Sequence, residues 1–153
     1  MLSVYFETYG CSNNVAETEI MKGLLKQAGL ELTNSEGIAD ILIINTCAVK
    51  EPTINKIKRR IRDISKLSKP LIIAGCMPAI MSKEIIKLNR NVSLISTHNI
   101  NHISAVVKKV LDGKIIRLTE YEKEIKLGKP RIRNNPLIAI IPISSGCAGN
   151  CSF

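Results

Sequence analysis

Short apolar runs alternate along this chain with longer segments in which apolar side chains recur at helical spacing. The short runs predict β-strands at 3–10, 41–45, 71–75, 92–96 and 115–119, with a weaker candidate at 31–33. The longer segments predict helices that begin at Asn13 or Asn14, Pro52, Pro78 and His102, and that end at Gly29, Pro70, Leu88 and Gly113.

Strands that alternate with helices predict βαβ units and a parallel sheet. The expected fold class is therefore α/β, with an open, mostly parallel sheet of about five strands and helices on both faces, of the Rossmann or flavodoxin-like kind. The near-continuous apolar runs at 41–45 and 71–75 are typical of strands that are buried on both faces. We assign residues 1–120 to this domain.

The pattern changes after residue 120. Residues 121–135 are charged, contain Gly128 and Pro130, and have no apolar period, so they are interpreted as a linker. The apolar run at 136–144 predicts a new buried strand that leads towards Cys147. We therefore expect residues 136–153 to be the truncated start of a second domain.

Composition narrows the class of protein. Of the 153 residues 45% are hydrophobic and only two are Phe, so aliphatic side chains must form the core. No apolar run approaches the ~20 residues of a membrane span, and the N-terminus lacks a basic region and a cleavage site. We expect a cytoplasmic protein without a membrane partner. Disulfides are rare in that compartment, so the five cysteines indicate metal or redox chemistry, or buried inert thiols.

Three of the cysteines follow predicted strands. Cys11 comes after the first strand, Cys47 after 41–45 and Cys76 after 71–75. The carboxyl ends of parallel strands share one edge of a sheet, where α/β proteins bind their ligands. Three thiolates at this edge favour an iron–sulfur cluster, zinc or copper(I).

The alternative for each cysteine is an inert buried thiol, because free cysteine packs as a small apolar side chain. A structural zinc site requires four protein ligands, and His98 and His102 are the available histidines. We expect surface or helix-capping roles for both. Three cysteines on a four-iron cluster would leave one iron open for another group, which is the arrangement of a reactive site.

Charge is concentrated in one segment. Residues 50–69 contain eight basic and two acidic residues, whereas the whole chain has a net charge of +9. Such a segment is either a solvated helix face or a contact for a polyanion, most often nucleic acid. The candidate nucleic-acid-binding residues are Lys56, Arg59, Arg60 and Arg62.

Four motifs carry a family resemblance. TYGCSNNVAETE, INTCAV, AGCMP and IPISSGCAGNCSF, in this order, resemble the methylthiotransferases of the radical S-adenosylmethionine superfamily. The resemblance spans the N-terminal domain, the linker and the first strand of the catalytic barrel. YGCSNN and IRNNPLIAIIPISSGC are most similar to the archaeal and eukaryotic branch that acts on N6-threonylcarbamoyladenosine in tRNA.

The resemblance implies two 4Fe–4S clusters. Cys11, Cys47 and Cys76 would hold an auxiliary cluster, while Cys147 and Cys151 would be the first two ligands of the radical cluster, whose third cysteine would follow Phe153. S-adenosylmethionine would be cleaved at the radical cluster to a deoxyadenosyl radical. A methylthio group would then be added to C2 of the adenine, beside the anticodon. The partners would be tRNA and an electron donor that reduces the clusters, and the chain alone is expected to be inactive.

Three other interpretations stay open. The first is the same family acting on isopentenyl-adenosine or on a ribosomal protein. The second is a flavodoxin-like module that binds a nucleotide or a corrinoid, although YGCSNN is not a glycine-rich phosphate loop. The third is an RNA-binding protein built around the basic helix, which would leave five cysteines at loop positions unexplained.

Overall fold

The computed structural model of the chain describes residues 1–49, 51–144, 149, 150 and 152. Within them, the strands are β1 (Ser3–Thr8), β2 (Glu31–Thr33), β3 (Ile41–Thr46), β4 (Leu71–Gly75), β5 (Ser93–Ser96) and β6 (Arg117–Leu118). The helices are α1 (Ser12–Gln27), α2 (Glu51–Ser65), α3 (Cys76–Leu88) and α4 (Ile103–Leu111), and a short 3₁₀ helix, Ile100–His102, leads into α4.

All six strands are parallel and form one sheet in the order β2-β1-β3-β4-β5-β6. The chain moves outwards from β1 to β2, then crosses back to place β3 on the other side of β1. This reversal creates a topological switch point between β1 and β3, where open α/β sheets have a crevice at the carboxyl ends of the strands. The predicted α/β fold with an open parallel sheet is confirmed.

Helices cover both faces of the sheet. On one face, α1 and α4 pack against Ile41 and Ile43 of β3. On the other face, α2 and α3 pack against Leu42 and Ile44 of the same strand. Successive side chains of a strand point to opposite faces, so an unbroken apolar run fills both halves of the core. All six residues of β3 are buried.

Two helices begin earlier than the sequence pattern predicts. Cys11, rather than Asn13 or Asn14, is the N-cap residue of α1, with extended backbone. The third helix begins at Cys76 instead of Pro78. Proline fits within a first helical turn because the amide N–H groups there need no partner within the helix. Two of the predicted site cysteines therefore lie at helix N-termini.

The strand predicted at 136–144 is wrong. These residues contain no strand, and Leu137 and Ile143 are 92% and 82% exposed. A strand needs the backbone of a neighbour, and within the described residues no strand pairs with this segment. Apolar composition alone therefore gave the wrong element.

A search of the described residues for a helix long and apolar enough to cross a membrane found none.

Candidate functional site

The three cysteines follow three strands that are neighbours in the sheet. Cys11 lies beyond β1, Cys47 beyond β3 and Cys76 beyond β4, and β3 is paired with both of the others. Cys47 is thus the middle one of the three in the order of strands. The fold brings their loops together at the switch-point edge, called here the cysteine edge.

The environments of the three thiols differ. Cys11 is exposed, Cys76 is partly buried and Cys47 is buried, and none of them forms a disulfide. Burial raises the pKa of the Cys76 thiol, and the charges of Glu17, Cys47 and Cys11 raise it further. The charge of each of these neighbours therefore acts on the Cys76 sulfur.

Two glycines allow the loops to approach each other. Gly10 has a φ of +136° and Gly75 a φ of +93°, which L side chains rarely adopt. A Cβ added to Gly10 would lie 2.6 Å from Cβ of Cys47, and one added to Gly75 would lie 2.5 Å from the carbonyl oxygen of Thr46. Neighbouring loops of the cysteine edge are therefore packed directly on one another.

Buried amides fix the geometry of these loops. Asn14 Oδ1 accepts a hydrogen bond from the Cys11 N–H at 3.2 Å, while its Nδ2 donates to the Thr46 carbonyl at 3.2 Å. Asn45 Nδ2 donates to the Asn14 carbonyl at 2.8 Å and to Thr18 Oγ1 at 3.0 Å. Because Asn14 and Asn45 are fully buried, these bonds hold the residues beside Cys11 and Cys47 in one arrangement.

Among the described residues, no three His, Cys, Asp or Glu side chains are arranged closely enough to hold a metal ion. The assignment of Cys11, Cys47 and Cys76 as cluster ligands therefore stays a prediction. His98 and His102 have other contacts: the His98 ring packs on Tyr121 with centroids 4.7 Å apart, and His102, the N-cap of α4, pairs with Glu122 at 2.9 Å. His102 is exposed and caps α4, so the prediction is confirmed for His102, whereas His98 is half-buried and caps no helix among the described residues.

The segment interpreted as a linker packs against the domain. Residues 122–134, called here the strap, contain no helix or strand. Near one end, Lys126 Nζ donates to Glu17 Oε1 at 2.6 Å. Near the other end, the Ile132 N–H donates to the Glu19 carbonyl at 3.0 Å, and the Asn134 N–H to Glu19 Oε1 at 3.0 Å.

The contacts of Glu17 were missed by sequence reasoning. Glu17 is fully buried, and its Oε1 also accepts hydrogen bonds from Asn13 Nδ2, at 2.9 Å, and from Thr97 Oγ1. Lys126 is only 8% exposed. The sequence contains one signal of these polar contacts, the four alternating charges of YEKEIK. No local pattern indicates, however, that this segment contacts α1.

The basic helix α2 presents its four candidate residues in different ways. Lys56, Arg59 and Arg62 are exposed, and Lys56 Nζ lies 5.5 Å from the centre of the Tyr9 ring. Arg60 instead donates from Nε to both carboxylate oxygens of Glu7, at 2.9 and 3.1 Å, and from Nη2 to Glu36. Two carboxylates thus balance the charge of Arg60, whereas the other three cations form no ion pair within the part of the chain that the structure describes.

Cys147 and Cys151 lie outside the described residues. The segment before them comes back towards the cysteine edge, where a cavity of about 250 Å³ is lined by Asn13, by residues 124–127 of the strap and by residues 142–144. A second cavity of about 550 Å³ lies at the opposite edge of the sheet, between Lys69, Asn89 and Lys114.

Comparison with known proteins supplies relatives over the whole chain. The chain is 40% identical over 154 residues to a protein of Methanothermobacter thermautotrophicus named "Probable threonylcarbamoyladenosine tRNA methylthiotransferase". It is 32% and 30% identical to the zebrafish (Danio rerio) and human proteins named "Threonylcarbamoyladenosine tRNA methylthiotransferase". The alignments cover 99%, 100% and 98% of this chain, but only 36%, 29% and 27% of those relatives. The chain therefore spans about a third of their length.

A family match covers the sheet with its three cysteines. Residues 3–97, from the start of β1 to the residue after β5, match the family described as "Uncharacterized protein family UPF0004". This range includes Cys11, Cys47 and Cys76 with the strands that they follow, and it amounts to more than half of the chain. The chain belongs to the UPF0004 family.

Proposed function

We propose that this chain is the iron–sulfur domain of a tRNA-modifying methylthiotransferase. The observation that carries the proposal is the placement of Cys11, Cys47 and Cys76 beyond three neighbouring parallel strands, at the switch point of the sheet. The names of the relatives supply the reaction class and the substrate, a threonylcarbamoyladenosine in tRNA. The activity itself would belong to a protein of the relatives' length, of which this chain matches about a third.

A 4Fe–4S cluster is larger than a single metal ion and its thiolate ligands stand further apart, so the three cysteines of the cysteine edge suit it by residue type. Thiolates are the usual ligands of such clusters, and three of them are available here on loops that pack together. Gly10 and Gly75 keep side chains out of the space between the loops. With these three protein ligands, one iron of such a cluster would stay open to a further group, which would suit sulfur transfer.

The chain's own residues would hold and orient this cluster. The Asn14 and Asn45 amides fix the backbone before and after the cysteine positions, so the ligands need little rearrangement when iron binds. Burial of Cys47 keeps water away from the central ligand. The proposal assigns Cys147 and Cys151 to a second cluster, which uses S-adenosylmethionine and an external electron donor.

The tRNA would be held in part by the exposed cations of α2, namely Lys56, Arg59 and Arg62, with Arg60 contributing least because it is paired with carboxylates. Phosphate contacts from lysine and arginine position RNA without reading its sequence. Substrate choice would then depend on other parts of the protein.

The proposal is tested by reconstitution with iron and sulfide under anaerobic conditions. In a Cys147→Ala, Cys151→Ala background, the chain should bind about four irons and show the broad absorbance of a 4Fe–4S cluster. A further change of Cys11, Cys47 or Cys76 to Ala should remove most of that iron. A chain that binds iron equally well without these three cysteines would refute the proposal.

The same spectra discriminate the alternatives. A flavin or cobalamin spectrum in the purified protein would favour the nucleotide- or corrinoid-binding module.

A control for the iron-binding test is a substitution at the opposite edge of the sheet. Ser68→Ala should leave the iron content unchanged, because Ser68 lies beside the cavity at that edge, away from the three cysteines.

A further inference from the structure

A buried charge pair lies beside the cysteine edge and is not explained by the packing of the domain. Glu17 is 0% exposed and Lys126, from the strap, is 8% exposed. A buried ion pair is seldom more stable than apolar residues of the same volume, because both charges must be removed from water. The stability of the fold alone therefore does not require this ion pair.

Glu17 connects α1, the helix capped by Cys11, with Thr97, the residue after β5. Its Oε1 accepts a hydrogen bond from Asn13, two residues after Cys11. The same oxygen bonds Thr97, whose N–H donates to the Gly75 carbonyl at 3.0 Å, immediately before Cys76. The carboxylate thus lies between the segments that carry Cys11 and Cys76.

The second oxygen of Glu17 is not used by the domain. Three donors converge on Oε1, whereas Oε2 is buried and has no hydrogen-bond partner among the described residues. An unpaired buried carboxylate oxygen lowers the stability of the fold, so its presence indicates a role other than stability. Lys126 limits this cost by balancing the charge, and it does so from the strap rather than from the domain's own helices.

We propose that Glu17 and Lys126 are an electrostatic tuning pair for the iron–sulfur site at the cysteine edge. This inference rests on the proposed function, since it requires a cluster held by Cys11, Cys47 and Cys76. A negative charge beside the cluster favours its oxidised form, and a positive charge favours its reduced form. The strap thereby becomes part of the site, because it delivers the positive charge.

The test is the midpoint potential of the reconstituted cluster, titrated with dithionite and followed by electron paramagnetic resonance in the Cys147→Ala, Cys151→Ala background. Glu17→Gln keeps the size of the side chain and removes its negative charge, so the potential should rise. Lys126→Met removes the positive charge, so the potential should fall. A purely structural role would not move the two variants in opposite directions.

Two further variants keep the test decisive. If Lys126→Met does not fold, adding it to Glu17→Gln removes both buried charges, and the potential of this double variant should fall back from that of Glu17→Gln towards the parent. Lys123→Met, an exposed lysine of the strap, should leave the potential unchanged. Equal potentials in the parent, Glu17→Gln and the double variant would overturn the inference while leaving the proposed function intact. A parent that forms no cluster would overturn both.

Discussion

The two edges of the sheet carry different kinds of feature. The edge at the amino ends of β4 to β6, called here the amino edge, has the larger of the two cavities described above, about 550 Å³. The ammonium of Lys69 beside this cavity already donates hydrogen bonds to the carbonyls of Glu36, Gly37 and Ala39. The cysteine edge has less open space. It contains three free thiols, two buried amides and a buried carboxylate with an unused oxygen.

The difference shows why cavity size is a poor guide to the site in this fold. At the amino edge the Lys69 ammonium already donates to three carbonyls, so it has no hydrogen-bond donor left for a ligand. At the cysteine edge the backbone is tightly packed, with glycine at the two closest approaches, while reactive groups stay without a covalent or metal partner in the described residues. Close loop packing is what brings thiols from three strands together.

The largest expected effect comes from a glycine at the cysteine edge. Gly75→Ala should destabilise the domain by more than about 3 kcal/mol, since φ +93° is strained for alanine and the new Cβ would contact the backbone of Thr46. Gly113→Ala is the matched control at the amino edge. It also has a positive φ, +81°, but nothing lies within 4 Å of the new Cβ. Its cost should be about 1 kcal/mol.

Urea unfolding followed by circular dichroism measures both variants. If Gly75→Ala proved as mild as Gly113→Ala, the loops of the cysteine edge would not be packed as described. The same result would remove the argument that glycine is needed there for close approach.

Sequence reasoning recovered the elements whose signals are local. The run LIIAG predicted β4 at its observed bounds, Leu71–Gly75, because β-branched residues between Pro70 and a glycine leave few alternatives. The same logic placed Cys11, Cys47 and Cys76 at strand ends. Their shared edge then followed from the parallel sheet, which the alternation of strands and helices predicts.

The parts that the sequence did not predict depend on distant partners. Lys126 pairs with a residue 109 positions away, and a charged segment with Gly and Pro has the composition of an exposed linker. The apolar run at 136–144 led to the opposite error, because a strand was predicted where the structure has none. It has strand composition, but strand formation depends on a neighbour, and composition does not report whether one is present.

A smaller effect distinguishes the two faces of the sheet in tRNA binding. Replacing Lys56, Arg59 and Arg62 on α2 with Gln should weaken binding of tRNA to this chain about tenfold, and lower the salt slope by about 1 for each lost phosphate contact. Filter binding at a series of salt concentrations measures both quantities.

The control removes the same number of charges elsewhere. Lys108 and Lys109 of α4, and Lys114 after it, are also exposed. They lie on the opposite face of the sheet from α2 and at its amino edge. Their replacement with Gln should change binding less. Equal losses from the two triple variants would mean that tRNA responds only to net charge, and the α2 surface would have no special role.

The smallest effect concerns acid stability at the ion pair between α2 and β1. The Glu7 pKa is lowered, because hydrogen bonds from Arg60 and Tyr9 outweigh the burial that raises it. A carboxylate with a depressed folded pKa stabilises the fold above its unfolded pKa, near 4.3, and loses this contribution as pH falls through the folded value. Arg60→Gln should therefore cost about 1 kcal/mol at pH 7 and flatten the loss of stability below about pH 5. Lys66→Gln, which breaks the exposed pair with Asp63, should do neither. Urea unfolding at pH 7 and pH 4 compares them, and an unchanged pH dependence in Arg60→Gln would show that Arg60 does not set the ionisation of Glu7.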